Sequence, residues 1–173
     1  MDSAALLPFY LSRGAEVRGV HFDYGQPTLA GERRSVLALS KHYDVKVETM
    51  CLGLAVACTE GEYHCRNALL VLAAASVAPR VRLGIAIGIH AGSPYYDCTP
   101  AFVGDMQRVL DGHHGGTMRM EAPFLEFSKR DIFDYCLENG VPVGLTFSCE
   151  RGSDRPCQQC ASCKDRMALG EDK

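Results

Sequence analysis

The spacing of four cysteines near the end of the chain is the feature that most constrains its fold. Cys149, Cys157, Cys160 and Cys163 fall within fifteen residues and form two successive C-x2-C turns. A tetrahedral Zn²⁺ ion needs four such ligands on short loops and turns, with sulfur at about 2.3 Å. The surrounding tail is polar, so a metal would supply folding energy that its residues lack. We therefore predict a structural zinc site.

Two other kinds of site also use closely spaced cysteines, namely iron–sulfur clusters and redox C-x-x-C pairs. Zinc is favoured because four ligands on a loop-rich tail make a closed site that needs no further labile position. The chain has 9 cysteines, and an odd number argues against a disulfide framework. The remaining five are predicted to be free thiols among apolar or loop residues: Cys51, Cys58, Cys65, Cys98 and Cys136.

Length and charge narrow the class of protein. The 173 residues are 47% hydrophobic, which suits one domain with a core, and we expect a main domain over 1–142 carrying a zinc-binding tail over 143–173. A net charge of −3 gives no basic face, so no nucleic-acid partner is expected and a small-molecule substrate is favoured. Neither a membrane-spanning run nor a signal pattern appears, so we expect a cytoplasmic protein without membrane contact.

Apolar periodicity predicts that strands and helices alternate along the chain. This pattern is typical of an α/β fold with a mostly parallel, doubly wound sheet that has helices on both faces. The predicted strands cover 17–22, 45–50, 83–87 and 118–122, and the predicted helices cover 2–13, 29–43, 67–78, 100–110 and 128–139.

Polar side chains follow two of these strands, at the carboxyl edge where open α/β sheets bind ligands. Asp23, Tyr24 and Gln26 come directly after the first strand, and a simple loop is the alternative. Tyr96 and Asp97 lie after the strand 83–87 and could stack on a heterocycle and hydrogen-bond its edge. A turn that caps the next helix explains this second pair equally well.

Two helix starts carry cations. Arg66, before Asn67, is unfavourable beside the positive end of a helix dipole, and a bound anion would relieve the conflict. Lys129 follows Ser128 at another helix start and could likewise hold an anion. The alternatives are a surface arginine and a simple Ser128 N-cap.

In this order the motifs resemble the QueC-type 7-cyano-7-deazaguanine synthases of the PP-loop ATP pyrophosphatase group. The resemblance spans essentially the whole chain and extends to Arg166 after the last cysteine. It implies a Rossmann-like PP-loop fold and an ATP-dependent ligase that activates the carboxylate of 7-carboxy-7-deazaguanine, adds ammonia and eliminates water to leave a nitrile. A homodimer is expected on the same basis. The matching segments are 1–3, 22–26, 66–67, 96–98, 128–129, 146–149 and the cysteine tail.

The resemblance also implies roles for individual residues. The zinc held by the four cysteines would be structural. The expected catalytic residues are Lys129, Arg66 and Asp97. ATP with Mg²⁺ is expected at Asp2, Ser3, Asp23, Tyr24 and Gln26, and the deazaguanine at Arg66, Asn67, Tyr96 and Asp97.

The sequence departs from the family pattern at three places. The family's loop reads Ser-Gly-Gly-x-Asp-Ser after a buried strand, whereas this sequence begins at the x position with Met1, so we expect a gap or an unpaired edge in the sheet. Truncation and divergence both account for this. Pro27-Thr28 stand where basic residues are usual, and Gln158 replaces a glycine.

Three other functions therefore stay open beside the synthase. One is a defence-associated paralogue acting on a related deazaguanine. Another is a binding module that keeps the zinc and the base pocket without ATP chemistry. The last is a sulfur-transferring PP-loop enzyme acting on tRNA, which the lack of a basic surface disfavours.

Overall fold

The computed structural model describes residues 1–59, 62–79, 81, 83–90, 92–152 and 155–170. Six α-helices and six strands lie within this part of the chain. In chain order they are α1 (Asp2–Leu11), β1 (Gly19–Asp23), α2 (Leu29–Tyr43), β2 (Val47–Cys51), β3 (Cys58–Thr59), β4 (Glu62–Tyr63), α3 (Arg66–Val77), β5 (Leu83–Ala86), α4 (Pro100–His114), β6 (Met118–Glu121), α5 (Lys129–Glu138) and α6 (Ala161–Leu169).

All nine predicted elements are present, most with ends within two residues of the prediction, and α2 matches at both ends. Helix α4 runs on to His114, four residues beyond its predicted end. The sequence did not predict α6 or the β3–β4 hairpin. Helix α6 lacks a local cap, because Cys160 contributes no side-chain hydrogen bond. Its cap is Glu150, whose carboxylate accepts from the Ser162 N–H at 3.0 Å.

The chain divides into two compact units. The first contains Met1, residues 3–55 and the chain from 129 onward. Within it β1 and β2 pair in parallel, from Gly19 opposite Val47 to Asp23 opposite Cys51, and α2 connects them. Its buried apolar residues include Phe22, Val45, Ile132, Phe133, Cys136 and Val141.

The second unit contains Asp2 and residues 56–128. Here β5 and β6 pair in parallel, and helices α3 and α4 supply most of the core. The core consists of Val71, Ala75, Ile89, Phe102, Met106, Leu110, Met118 and Met120. The two βαβ arrangements confirm the predicted α/β fold with parallel strands.

The parallel strands form two separate pairs, β1–β2 and β5–β6. In the described part of the chain each of these strands therefore keeps one edge without a strand partner. Such an edge presents N–H and C=O groups that another strand could pair with.

None of the described helices is long and apolar enough to cross a membrane. Residues 153, 154 and 171–173 of the predicted zinc-binding tail lie outside the described residues.

Candidate functional site

The four tail cysteines meet in the first unit, as their spacing predicts. Their four sulfur atoms all lie within 4.8 Å of one another, and Sγ of Cys157 is 3.9 Å from Sγ of Cys163. Four sulfurs at about 2.3 Å from a tetrahedral ion would be about 3.8 Å apart. Cys149 and Cys163 are buried, whereas Cys157 and Cys160 are half-buried. The geometry of the four cysteines therefore fits a metal ion bound by four thiolates.

The surroundings of these thiols change their ionisation in opposite directions. Backbone N–H groups of Gln159 and Cys160 donate to Sγ of Cys157 and lower the pKa of that thiol. Burial, together with its hydrogen bond to Cys160, raises the pKa of Cys163 to about 12. A buried thiol of this kind ionises readily only beside a cation, because the thiolate is the form that binds metal.

Gln158 stands in the turn between two ligands with φ +57°, in the left-handed region that favours glycine. A side chain in this conformation costs about 1–2 kcal/mol. The turn geometry thus gives a physical reason for the glycine that the family usually carries here, and the departure strains the turn without preventing it.

Arg166 connects α6, which carries the last cysteine ligand, to the chain before the first cysteine ligand. Its Nη1 donates to the carbonyl and hydroxyl of Thr146 at 3.1 and 3.0 Å and to the hydroxyl of Ser148 at 3.1 Å. Its Nη2 donates to the carbonyl of Val143 at 3.2 Å. One guanidinium therefore joins α6 to residues 143–148, which lead into the first cysteine ligand.

The loop that follows β1 is held by internal hydrogen bonds. Gln26, which is 4% exposed, accepts from the backbone N–H of Tyr24 at 2.9 Å and donates to the carbonyl of Phe22 at 2.9 Å. Asp23 accepts from the backbone N–H of Gly25 at 3.2 Å and pairs with Arg33. The structure thus brings Asp23, Tyr24 and Gln26 together, with the Gln26 amide used inside the loop.

The segment that carries the cysteine ligands (residues 147–152 and 155–163), here called the metal segment, packs against this loop and the start of α2. A Cβ atom placed on Gly31 would lie 2.5 Å from the ring of Phe147, two residues before Cys149. A Cβ on Gly152 would lie 2.7 Å from the carbonyl carbon of Pro27. At both positions the neighbouring atoms lie too close for a larger side chain. The metal segment therefore packs directly on the loop of the same unit.

In the second unit the structure joins Arg66, Asn67 and Asp97. The Asp97 carboxylate accepts from the backbone N–H of Asn67 at 3.4 Å, in the first turn of α3. Asn67, 3% exposed, donates to the Asp97 carbonyl at 3.2 Å and accepts from Nε of Arg66 at 3.2 Å. The Asp97 carboxylate thus lies at the positive end of α3, and binding of an external anion at Arg66 stays a prediction.

Comparison with known proteins identifies the family of the chain. The family model described as "Queuosine biosynthesis protein QueC" matches residues 63–170. The chain belongs to the QueC family. It is 32% identical to proteins named 7-cyano-7-deazaguanine synthase from Aquifex aeolicus, over 96% of this chain and 90% of that protein, and from Methanoculleus marisnigri, over 96% and 87%. A synthase of that name from Prochlorococcus marinus (strain NATL2A) is 29% identical over 96% and 87%.

The other predicted site residues of this QueC-family chain lie outside these clusters. Tyr96 is 56% exposed, and its hydroxyl donates to Asp105, which raises the pKa of that tyrosine. Lys129 begins α5 in the first unit, and Ser3 lies exposed in α1 after Asp2, the first residue of that helix. Their ligand-binding roles stay predictions.

Sequence reasoning missed one residue of the site, Glu32 in the first turn of α2. Its carboxylate accepts from His21, Gln26 and Thr28. The only local signal was an acidic residue in the first turn of a helix, a position that the helix dipole makes favourable without any further role.

Proposed function

We propose that this QueC-family chain is a 7-cyano-7-deazaguanine synthase that uses ATP to convert the carboxylate of 7-carboxy-7-deazaguanine into a nitrile. The observation that carries the proposal is that the motif residues Arg66, Asn67 and Asp97 are joined by direct hydrogen bonds at the start of α3. The name of the relatives, 7-cyano-7-deazaguanine synthase, supports the same product for this chain.

The chemistry requires activation because a carboxylate is a poor electrophile. Attack of the carboxylate on the α-phosphate of ATP forms an acyl adenylate and releases pyrophosphate. Ammonia then displaces AMP to give an amide, and loss of water from the amide leaves the nitrile. Positive groups placed where charge develops on the phosphates stabilise the first step.

We assign these roles to residues of this chain. The guanidinium of Arg66, held on Asn67, would bind an anionic group of a substrate, and Asp97 would accept from a ring N–H of the base while capping α3. Lys129 would neutralise phosphate charge. Asp2, Ser3, Asp23 and Tyr24 are proposed to contact the nucleotide with its Mg²⁺, and Tyr96 to stack on the base.

The cysteine cluster is proposed to hold Zn²⁺ through Cys149, Cys157, Cys160 and Cys163. Bound there, zinc cross-links the tail and takes no part in the reaction, because four thiolates leave no open position for a substrate. Contacts within the protein also hold the tail in place. Arg166 binds residues before the first cysteine, and Gly152 lies close to Pro27 of the loop after β1.

Incubation of the zinc-loaded protein with ATP, ammonium and 7-carboxy-7-deazaguanine tests the proposal, with mass spectrometry of the base and the nucleotides. We expect formation of the nitrile and of AMP with pyrophosphate. Lys129→Met should lower the rate at least about tenfold, as expected from loss of one charge-stabilising group. The matched control is Lys41→Met at an exposed lysine of α2.

Two outcomes would contradict the synthase. If calorimetry shows that the base binds without turnover of ATP, the chain is a binding module. If neither binding nor turnover occurs under conditions that retain zinc, the substrate assignment is wrong.

A further inference from the structure

We propose that Glu32 is the positioning residue that fixes the loop 23–28, which the proposed function places against the nucleotide. The expected effect of Glu32 on ligand binding rests on the proposed function. The expected effect on the order of the loop rests on the geometry alone. Glu32 itself touches the loop and β1, and it acts on a ligand only through them.

One carboxylate gathers three donors from both sides of the loop. Oε2 of Glu32 accepts from Nε2 of Gln26 at 2.8 Å and lies 3.0 Å from Nε2 of His21 on β1. Its Oε1 accepts from the Thr28 hydroxyl at 2.6 Å. The carboxylate thus connects β1, the middle of the loop and the last residue before α2.

Gln26 carries this constraint to the loop backbone. With Nε2 held by Glu32 and by the carbonyl of Phe22, the amide is oriented so that Oε1 faces the backbone N–H of Tyr24. Rotation of the amide by half a turn would place NH₂ against N–H. Because Gln26 is buried, such a mismatch would cost the desolvation of unpaired polar groups.

The charge on Glu32 suits this role. Burial alone would raise the pKa of Glu32, but the hydrogen bonds from His21, Thr28 and Gln26 outweigh it and lower that pKa. The carboxylate is therefore ionised near neutral pH and accepts from all three donors. Nδ1 of His21 is buried and has no partner among the described residues, so Nε2 is the ring nitrogen through which His21 meets Glu32.

The conservative variant separates shape from charge. In Glu32→Gln the retained oxygen can occupy the Oε2 position and keep both Gln26 and His21, while the new NH₂ faces the Thr28 hydroxyl, which can turn and accept. Glu32→Ala instead removes the acceptor shared by His21, Thr28 and Gln26, and leaves the Gln26 NH₂ only its bond to the Phe22 carbonyl. A positioning role therefore predicts that alanine loosens the loop and that glutamine restores most of the order.

The experiment is amide hydrogen exchange by NMR on the zinc-loaded full chain, together with calorimetric titration of a non-hydrolysable ATP analogue with Mg²⁺. We expect Glu32→Ala to accelerate exchange of the Tyr24 amide by about tenfold, the effect of losing one to two net hydrogen bonds, and to weaken binding by a similar factor. Glu32→Gln should stay within about threefold of wild type. Glu48→Ala, at an exposed carboxylate on β2, is the matched control and should change neither.

Unchanged Tyr24 exchange in Glu32→Ala, or equal acceleration in Glu48→Ala, would overturn the proposal. If Glu32→Ala does not fold, Thr28→Val tests the same network by removing one of its hydrogen bonds. Exchange of the Tyr24 amide at the wild-type rate in that variant would overturn the proposal. A loosened loop with unaltered affinity would overturn the positioning role in binding. Failure of the wild type to bind the nucleotide would count against the proposed function, while the exchange data would still decide whether Glu32 orders the loop.

Discussion

Replacing Gly31 by alanine tests whether the metal segment really packs on α2. The new methyl group would meet three ring carbons of Phe147 at 2.5 to 2.7 Å, well inside contact distance. Thr146 and Ser148, on either side of Phe147, are both held by Arg166, which restrains the backbone of this residue. Relief of the contact therefore requires rotation of the ring or a shift of α2.

Two opposing effects set the magnitude. Alanine in place of glycine stabilises a helix by at most about 1 kcal/mol. Overpacking a tight contact costs about 1–3 kcal/mol. We expect a net loss of about 1 kcal/mol in the free energy of unfolding. Gly104→Ala in α4 is the control, because a Cβ there meets nothing within 4 Å, and it should gain about 0.5–1 kcal/mol.

Urea denaturation and thermal unfolding, each followed by circular dichroism, measure both variants. The melting temperatures should move in opposite directions, by about 2–4 °C for each kcal/mol in a chain of this size. If Gly31→Ala is as stabilising as Gly104→Ala, the close approach of Phe147 is wrong. Adding Arg166→Ala should release the ring, so the cost of Gly31→Ala should shrink in the double variant.

Three further results are expected. Cys163→Ser should abolish binding of one zinc per chain in a chromophoric chelator assay, while Cys51→Ser, at an exposed thiol outside the cluster, should keep it; equal zinc in both would exclude the four-cysteine site. Arg166→Ala should lower the free energy of unfolding, measured in urea, by about 2–3 kcal/mol. Arg166→Lys should restore less than half of that loss, because an ammonium cannot make the hydrogen bonds of a planar guanidinium. Full restoration by lysine would show that the guanidinium geometry is not needed. Because the folded pKa of Glu32 lies below its ordinary value of 4.5, its contribution is complete above that value and is lost as pH falls through the folded pKa. Glu32→Gln should thus lose less stability than wild type on acidification, and parallel curves would contradict the network.

Local pattern predicted most of the secondary structure. The ends of α2 follow from an apolar period of 3.6 residues, and Pro100 and Thr99 mark the start of α4, where Thr99 accepts from the N–H of Phe102 at 3.2 Å. The sequence missed α6 because its cap, Glu150, lies 12 residues before the Ser162 it caps. A cap supplied from that distance leaves no local signature.

The spacing of the cysteines was sufficient by itself to predict a metal site, because ligands on neighbouring turns must meet whatever the rest of the chain does. The same holds for family membership, which rests on motifs in order. Tertiary structure alone decided how the polar groups are used. Asp97 reaches Asn67 across 30 residues to cap α3, and Glu32 becomes the acceptor for three donors only when β1 and α2 come together. Contacts between residues far apart in sequence depend on packing, which periodicity and spacing do not encode.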